Sequence, residues 1–563
     1  MQLTGAEILI ECLLEQGVDT IFGYPGGAVL NIYDALAKYS DRLRHFLPSH
    51  EQGAAHAADG YARSTGKVGV CMATSGPGAC NLVTGIATAY MDSVPLIAIT
   101  GNVPLSLLGK DSFQEVDIFG ITMPITKHNF IVKNVEEMAE IVRKAFFIAQ
   151  DGRPGPVLID IPKDVTAQKA EYEMETPKPI ERHIKGITPE AVENAVRMLK
   201  QSERPLVFVG GGAVQAGADH ELQQFVRILK APVVSSLMGL GAYPGTDPYF
   251  CGLIGMHGTK TSNLSASKCD LLIAIGARFS DRVVSNPKRF APNASILHID
   301  IDPAEINKNI RAHGHSVGDV KIALQKLLEA MDGEEFPDTS AWLQQVNEWR
   351  EKFPLTYQNG GLRPQYIVER IYALTKGDAL ITTEVGQNQI WAAQFYKFTK
   401  PRTFISSGGL GTMGFGLGAA IGTQIGNPGK TVINIAGDGS FRMNCNELAT
   451  AVEYELPIVI VILNNRALGM VKQWQDLFYD RRFSQSIVDR QTDFVKLAEA
   501  YGALGFNLDR PEDVDAVLSK ALEAAHAAKR PAVVNCEIDP EEKVFPIIPP
   551  GGAIDDPIMG VNK

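Results

Sequence analysis

The stretch GDGSFRMNCNELATAVEYELPIVIVILNNRALGM (437–470) decides the fold. The apolar run 431–436 is followed by Gly437, the first residue of this stretch. A second apolar run at 458–463 is followed by Asn464 and Asn465. Between them lies a helical pattern, so the segment is predicted to be a strand–helix–strand unit with parallel strands and a right-handed crossover. Both polar clusters then lie at the carboxyl edge of one sheet, where open α/β sheets bind ligands.

The residues at this edge predict a site for Mg²⁺ and a diphosphate. Asp438 and Asn465 supply carboxylate and amide oxygens, which suit Mg²⁺ when phosphate and water fill its other positions. Gly437 and Gly439 let the backbone approach a phosphate, and the helix that follows Ser440 favours an anion at its N-terminus. The alternative is an ordinary turn in which Asp438 only caps the helix.

Similar apolar runs alternate with helical patterns along the whole chain, which predicts three doubly wound parallel-sheet domains of the α/β class. We place them at residues 1–182, 188–350 and 362–563. Polar segments at 171–186 and 334–354 are predicted linkers, the second of them helical, and the tail from Pro546 is predicted to be irregular. The predicted strands are 20–23, 68–74, 96–100, 157–161, 205–209, 232–235, 271–275, 296–301, 379–383, 403–406, 431–436, 458–463 and 531–538.

Composition excludes several classes of protein. The 563 residues carry a formal net charge of -11, which argues against broad nucleic-acid binding. No apolar run reaches the roughly 18 residues of a membrane span. The N-terminus resembles an acidic amphipathic helix and not a signal peptide. The seven cysteines are scattered, as expected for reduced thiols in the cytoplasm.

Glu51 is the second chemical signal. It opens a predicted helix rich in alanine, and the loop Ser75–Gly78 follows a nearby predicted strand. Taken alone, a glutamate in a first helical turn usually serves only to interact with the helix dipole.

The metal motif changes this interpretation, because the chain resembles the thiamine-diphosphate-dependent enzymes. The resemblance implies that Asp438 and Asn465 bind Mg²⁺, with the carbonyl of Ala467 as a third ligand. It also implies that Glu51 hydrogen-bonds the pyrimidine of thiamine diphosphate, so that the cofactor serves as its own base. In these enzymes the glutamate domain of one subunit meets the diphosphate domain of another.

Within this superfamily, residues 3–553 resemble the catalytic subunits of acetohydroxyacid synthases. The resemblance implies a pyrimidine domain, a central Rossmann-like FAD domain and a diphosphate domain. The matching runs are FGYPGGAV (22–29), SHEQGAAH (49–56), TSGPGACNL (74–82), KDSFQEVDIFGIT (110–122), GRPGPVLIDIPKDV (152–165), SLMGLGA (236–242), GMHGT (255–259), GARFSDRV (276–283), GGLGTMGFG (408–416) and NNRALGMVKQWQ (464–475).

The resemblance also implies the remaining site residues. Catalytic roles fall on Glu51, Gln114, Arg282 and Trp474, and the substrate channel on Val103, Pro104, Phe113 and Lys163. Thiamine diphosphate is expected at Tyr24, Pro25, Gly76, Val385, Gly386, Gln387, Gly411, Met413, Gly437, Gly439, Ser440 and Met470. FAD is expected at Arg153, Gly210, Gly211, Gly212, Leu237, Met238, Gly255, Met256, His257, Gly276, Ala277, Arg278, Asp300, Ile301, Asp319, Val320 and Gln389.

The implied reaction decarboxylates pyruvate on thiamine diphosphate and ligates the hydroxyethyl carbanion to pyruvate or 2-ketobutyrate. This is the first common step of branched-chain amino-acid biosynthesis. FAD is expected to be structural, because the net reaction transfers no electrons. The expected assembly is a homodimer or homotetramer, and a small regulatory subunit is a candidate partner.

Three alternatives remain open at this point. The first is an FAD-dependent pyruvate oxidase, and the second is a flavin-free, catabolic acetolactate synthase. The third is a catalytically silent, nucleotide-binding regulatory protein. An intact Glu51, Asp438 and Asn465 argue against the last of these.

Overall fold

A computed structural model describes residues 1–180, 183–358, 360–488 and 492–560. Three α/β units follow one another along the chain, and each is built on a six-stranded sheet whose paired strands are all parallel. Helices cover both faces of such sheets, so central strands are apolar throughout. The predicted α/β class is therefore confirmed. Among the described helices, none combines the length and the apolar character needed to cross a bilayer.

The first unit has the sheet order β3-β2-β4-β5-β7-β6, and β1 pairs with β8 in a separate antiparallel ribbon. Its elements are β1 (Gln2–Thr4), α1 (Gly5–Glu15), β2 (Thr20–Gly23), α2 (Leu30–Lys38), β3 (Arg44–Phe46), α3 (Glu51–Thr65), β4 (Gly69–Ala73), α4 (Pro77–Asn81), α5 (Val83–Met91), β5 (Leu96–Asn102), α6 (Ile118–Thr122), β6 (His128–Ile131), α7 (Met138–Gln150), β7 (Pro156–Pro162), α8 (Lys163–Ala167) and β8 (Lys169–Glu171).

The central unit has the order β11-β10-β9-β12-β13-β14, which is the Rossmann order. Its elements are α9 (Pro189–Lys200), β9 (Pro205–Val209), α10 (Gly211–Ala216), α11 (Asp219–Leu229), β10 (Val233–Ser235), β11 (Phe250–Leu253), α12 (Lys260–Lys268), β12 (Leu271–Ile275), α13 (Asp281–Val284), β13 (Ser295–Asp300), β14 (Gly314–Val317), α14 (Val320–Ala330) and α15 (Ser340–Lys352).

The third unit has the order β16-β15-β17-β18-β20-β19, which repeats the strand order of the first unit. Its elements are α16 (Pro364–Leu374), β15 (Leu380–Thr383), α17 (Gln387–Phe395), β16 (Phe404–Ile405), α18 (Phe415–Gly426), β17 (Val432–Gly437), α19 (Asp438–Phe441), α20 (Glu447–Glu453), β18 (Val459–Asn464), α21 (Gly469–Phe478), α22 (Phe494–Tyr501), β19 (Leu504–Leu508), α23 (Val514–Ala528) and β20 (Ala532–Glu537).

The predicted strands are all present, with ends that shift by at most two residues. The sheet strands that the prediction missed (β3, β6, β11, β14 and β19) all lie at sheet edges. Edge strands have one open side and carry polar residues, so they lack the continuous apolar run that reveals a central strand.

The segment 334–354 contains a helix, as predicted, but it is not a linker. Helix α15 packs onto the central unit, because Trp342 and Val346 are buried and the Trp342 indole donates to the carbonyl of Pro205 at 3.0 Å. The proposed domain boundary at residue 182 and the last residues of the third domain, 561–563, lie outside the described residues.

Helices α3 and α18 join the first unit to the third. They pack so closely that a methyl group added at Gly422 would lie 1.7 Å from the carbonyl oxygen of Ala57. Only glycine allows this approach, and the contact places the helix that begins at Glu51 directly against the third unit.

Candidate active site

The candidate residues gather where the strand order of each sheet reverses. These switch points lie between β2 and β4, between β9 and β12, and between β15 and β17. Adjacent loops diverge there to opposite faces of the sheet and leave a crevice for a ligand. The segments that follow these strands carry predicted site residues in all three units: Tyr24–Pro25 and Gly76, Gly210–Gly212 and Gly276–Arg278, Val385–Gln387 and Gly437–Ser440.

Asp438 is the most unusual group at the third switch point. It is the first residue of α19 and is 1% exposed, and neither carboxylate oxygen has a hydrogen-bond partner among the described residues. Burial raises the pKa of Asp438 to about 6, although the charge of Arg442 and the amides of Gly439 and Asn465, which lie near the carboxylate without hydrogen-bond geometry, oppose the shift. A buried carboxylate with two unpaired oxygens is unfavourable unless a cation binds it. The site therefore fits a metal ion.

The second strand of the unit brings the other predicted ligands to the same edge. Asn465 donates from its Nδ2 to Gln387 Oε1 at 2.9 Å, which turns its Oδ1 away from Gln387. The turn at Gly439 faces residues 467 and 468, since an added methyl group there would lie 2.7 Å from Leu468 Cδ2.

The chemistry of these donors indicates which metal fits. In the described residues, no group of three or more His, Cys, Asp or Glu side chains could hold a metal. A metal at Asp438 must therefore also use amide, backbone and phosphate oxygens, which is typical of Mg²⁺.

A cavity of about 1910 Å³ is lined mainly by the central and third units, and residues of the first unit around Asp92 and Arg153 also line it. Many of the residues predicted for FAD line it, together with residues predicted for thiamine diphosphate and for the second substrate. These are Arg153, Gly211, Gly212, Leu237, Met238, Met256, His257, Gly276, Arg278, Arg282, Asp300, Ile301, Asp319, Val320, Val385, Gly386, Gln389, Gly411, Met413, Met470 and Trp474. The structure therefore brings most of the predicted FAD residues, part of the predicted thiamine-diphosphate site and the substrate arginine into one space. Within the described residues, the lining does not include Gln387, Gly437, Asp438, Gly439, Ser440, Asn465 or Ala467.

The central part of the cavity fits a nucleotide. At its switch point, a methyl group on Gly210 would lie 2.2 Å from the carbonyl oxygen of Gly276, so the two loops leave backbone and not side chains facing the crevice. Asp300 ends β13 and Asp319 precedes α14, positions from which carboxylates reach ribose hydroxyls. These features agree with the residues predicted for FAD.

Two polar residues of the cavity are already engaged within the protein. Arg153 pairs with Asp302 at 3.0 Å and with Glu305 at 2.8 Å. Burial lowers the pKa of His257 to about 4, so this imidazole is neutral at pH 7, and its Nδ1 lies 3.1 Å from the carbonyl oxygen of Pro546. Both side chains are therefore held in place before any ligand binds.

Apart from Arg153, the predicted residues of the first unit lie outside this cavity. Glu51 is half-buried, and its Oε2 accepts a hydrogen bond from Asn81 Nδ2 at 2.9 Å. Phe113 is 87% exposed, and Gln114 is exposed with a φ of 58°. Within the described ranges, the cavity lining includes none of Tyr24, Pro25, Glu51, Gly76, Val103, Pro104, Phe113, Gln114 and Lys163. One copy of the chain thus leaves these residues outside the cavity.

Three polar residues near these sites are not predicted from the sequence. Asn81 contacts Glu51, and Asp92 accepts hydrogen bonds from the amides of Gly408 and Gly409 at 2.9 and 2.7 Å. Glu384 directly follows β15 and is fully buried. A carboxylate that directly follows a predicted buried strand was the available signal for Glu384, whereas the contact of Asp92 joins residues more than 300 positions apart.

Family models match all three units. The Thiamine pyrophosphate enzyme, N-terminal TPP binding domain, matches residues 3–121, and the central domain of the same enzymes matches residues 192–327. The C-terminal TPP binding domain matches residues 384–536, which include the Asp438 turn and Asn465. Thiamine pyrophosphate is the same molecule as thiamine diphosphate.

Curated relatives match almost the full chain. The acetolactate synthase isozyme 3 large subunit of Escherichia coli (strain K12) is 46% identical over 98% of this chain and 98% of its own. The acetolactate synthase large subunit of Haemophilus influenzae is 46% identical over 99% and 98%. The probable acetolactate synthase large subunit of Methanocaldococcus jannaschii is 47% identical over 100% and 96%. The chain therefore belongs to the acetolactate synthase large-subunit family of the thiamine pyrophosphate enzymes.

Proposed function

We propose that this protein is an acetolactate synthase, which joins two molecules of pyruvate into 2-acetolactate with release of CO2. It also accepts 2-ketobutyrate as the second keto acid, and the reaction is the first common step of branched-chain amino-acid biosynthesis. The observation that carries the proposal is the buried, unpaired carboxylate of Asp438 at the switch point of the third sheet. It supports a metal-diphosphate site in a chain of this family.

Asp438, the Oδ1 of Asn465 and the carbonyl oxygen of Ala467 would hold Mg²⁺. Gln387 keeps Asn465 in place through the 2.9 Å hydrogen bond between their amides. When bound, thiamine diphosphate supplies a carbon nucleophile for the keto carbon of pyruvate and accepts the electron pair that remains after CO2 leaves. The protein binds the diphosphate, orients the cofactor and controls protons around it.

Glu51 would hold a proton against the pyrimidine ring of the cofactor. Asn81 donates to only one of its carboxylate oxygens at 2.9 Å, so the other oxygen can face a ligand. Because Glu51 and the channel residues do not line the cavity of their own chain, we propose that the first unit of a second copy completes the site. The assembly is then a homodimer or a homotetramer, with the exposed Phe113 covered by the second copy.

Arg282 and Trp474 would bind the second keto acid. The Arg282 side chain is 65% exposed where it lines the cavity, and a guanidinium binds a carboxylate through two parallel hydrogen bonds. Trp474 packs edge-on against Phe478, with ring centroids 5.3 Å apart, and offers an apolar wall. Such a wall could favour the longer 2-ketobutyrate, since one methylene is worth about 1–3 kcal/mol in an apolar pocket.

FAD would occupy the central part of the cavity in a structural role, held by the residues predicted for it. We also propose that the protein works in the cytoplasm and binds a small regulatory subunit. All seven cysteines are free of disulfides, which agrees with a reducing compartment.

The test is a product assay with purified protein, pyruvate, Mg²⁺, thiamine diphosphate and FAD. Acidification converts 2-acetolactate to acetoin, which is read by colour. We expect acetoin from the wild type, loss of at least about a hundredfold in Glu51→Gln, and normal activity in Glu136→Gln, which alters an exposed glutamate of the same unit. Peroxide and acetate without acetoin would instead support the pyruvate oxidase.

A further inference from the structure

Glu384 is a buried carboxylate to which the proposed function assigns no role. It follows the last residue of β15, immediately before Val385, Gly386 and Gln387, and its exposure is 0%. Two other segments with predicted cofactor residues lie against it: the segment 411–417, which includes the first turn of α18, and the turn 437–440. One side chain therefore contacts all three segments that surround the switch point of the third sheet.

Three hydrogen bonds define these contacts. The amide of Gly414 and the hydroxyl of Ser440 donate to Glu384 Oε2 at 2.9 and 2.7 Å. The amide of Leu417 donates to Glu384 Oε1 at 3.2 Å. All three groups are donors toward a carboxylate, which is an acceptor at both oxygens.

The bonds to Gly414 and Leu417 replace a missing helix cap. Helix α18 begins at Phe415 after Gly414, which has a φ of 84° and no side chain to cap the helix. The first amides of a helix need partners from outside the helix, and a negative charge at this end is favourable. Glu384 supplies both, and so fixes the start of α18 beside β15.

The hydrogen bond from Ser440 also ties the turn that carries Asp438 to Glu384. Ser440 lies two residues after Asp438 in the short helix α19, which also lacks a side-chain cap. Its hydroxyl contacts the amide of Gly414 as well, at 3.1 Å. The first turn of α19 is thus anchored to β15 and to α18 through one hydroxyl and one carboxylate.

We propose that Glu384 is a positioning residue that sets the geometry of the cofactor-binding edge by holding the Asp438 turn and the loop before α18 against β15. The inference rests on the proposed function, because the ligand in question is the Mg²⁺ complex of thiamine diphosphate. Glu384→Gln keeps the shape but places an NH2 group against three donors. Glu384→Asp keeps the charge but is one methylene too short to reach all of them.

The experiment is isothermal titration of the full-length protein with thiamine diphosphate in excess Mg²⁺. We expect the dissociation constant to rise about tenfold or more in Glu384→Gln, as is typical when a charge-assisted hydrogen bond is lost, and severalfold in Glu384→Asp. The matched control is Glu221→Gln, which alters a buried glutamate of the central unit that accepts from Gln325 at 2.8 Å. The control is expected to bind as the wild type does.

A second readout separates positioning from general loss of structure. At saturating cofactor, the KM for pyruvate should stay at the wild-type value in the Glu384 variants. A disordered third unit would instead change both this KM and the dissociation constant of thiamine diphosphate. Ser440→Ala combined with Glu384→Gln should weaken binding by less than the product of the two single effects, because both remove the same bond.

Three results would decide the matter. If the wild type binds the cofactor and both Glu384 variants bind equally well, the inference is overturned. If Glu384→Gln does not fold, Glu384→Asp carries the test, and unchanged binding there refutes it. If the wild type itself does not bind thiamine diphosphate, the proposed function fails, and this outcome differs from a failure confined to Glu384.

Discussion

Replacing Asp438 by asparagine should make the cofactor-free protein more stable while it abolishes cofactor binding. Both oxygens of Asp438 lack partners in the described structure, and burial raises the pKa of this carboxyl from 3.8 to about 6. Above pH 6 the folded protein therefore carries an ionised carboxylate. The protein interior solvates this carboxylate less favourably than water does in the unfolded chain. Asparagine has nearly the same shape but no charge, so this penalty disappears.

The sign and size of the stability change follow from the raised pKa of Asp438. Because the folded state binds this proton more tightly than the unfolded chain, the stability that protonation contributes is present below pH 3.8 and is lost as pH rises through 6. A shift of about two pKa units corresponds to about 3 kcal/mol at neutral pH. The buried amide of asparagine also lacks partners, so we expect a net gain of about 1–2 kcal/mol.

The assay is thermal unfolding of the cofactor-free protein at several pH values, with and without Mg²⁺ and thiamine diphosphate. At pH 7.5 the variant should melt a few degrees higher than the wild type, on the order of the shift that such a gain produces. The difference should shrink towards zero by about pH 5. Added cofactor should raise the melting temperature of the wild type only.

The matched control is Asp509→Asn, which alters an exposed aspartate. It should change neither the melting temperature without cofactor nor the rise in melting temperature that added cofactor produces. The reasoning is refuted if Asp438→Asn is less stable than the wild type at pH 7.5 without cofactor. It is equally refuted if the variant keeps the stabilisation by Mg²⁺ and thiamine diphosphate.

Three further changes test other parts of the site. Asp92→Asn removes one of the two acidic partners of the buried Arg63, which keeps Asp59, and weakens the hydrogen bonds to the amides of the loop at Gly409. We expect a loss of about 1–3 kcal/mol, a lower melting temperature and released FAD, and an unchanged melting temperature would contradict this. Trp474→Leu should lower the preference for 2-ketobutyrate over pyruvate by about tenfold in a competition assay of the two products, and an unchanged ratio would remove Trp474 from acceptor selection. Arg282→Met should raise the KM for pyruvate about tenfold or more with cofactor affinity unchanged, and a normal KM would show that another group binds the carboxylate.

The sequence predicts the centres of the three sheets well, because buried parallel strands are continuous apolar runs followed by glycine or polar residues. The β17–β18 unit, with Asp438 and Asn465 at its edge, is the best example. Edge strands such as β3 and β19 carry mixed residues and were missed. The sequence of helix α15 resembles a linker because most of its surface is polar, and only Trp342 and Val346 reveal its packed side.

The site residues also fall into a group that the sequence reveals and a group that it does not. Motifs with a local spacing, such as the glycines after a strand, indicate ligand positions directly. Contacts between distant segments leave no such signal. The contacts of Asn81 with Glu51 and of Glu384 with Ser440 depend on how elements pack within one unit, and the contact of Asp92 with the loop at Gly408 depends on how the first and third units pack. The roles of the individual site residues stay predictions until the variants are measured.

The most direct test of the account is the fate of ¹³C-labelled pyruvate, followed by NMR with the purified protein, Mg²⁺, thiamine diphosphate and FAD. The account predicts that 2-acetolactate and CO2 accumulate together as pyruvate disappears, with no need for oxygen. Oxygen-dependent formation of acetate, or acetaldehyde as the main product, would contradict it.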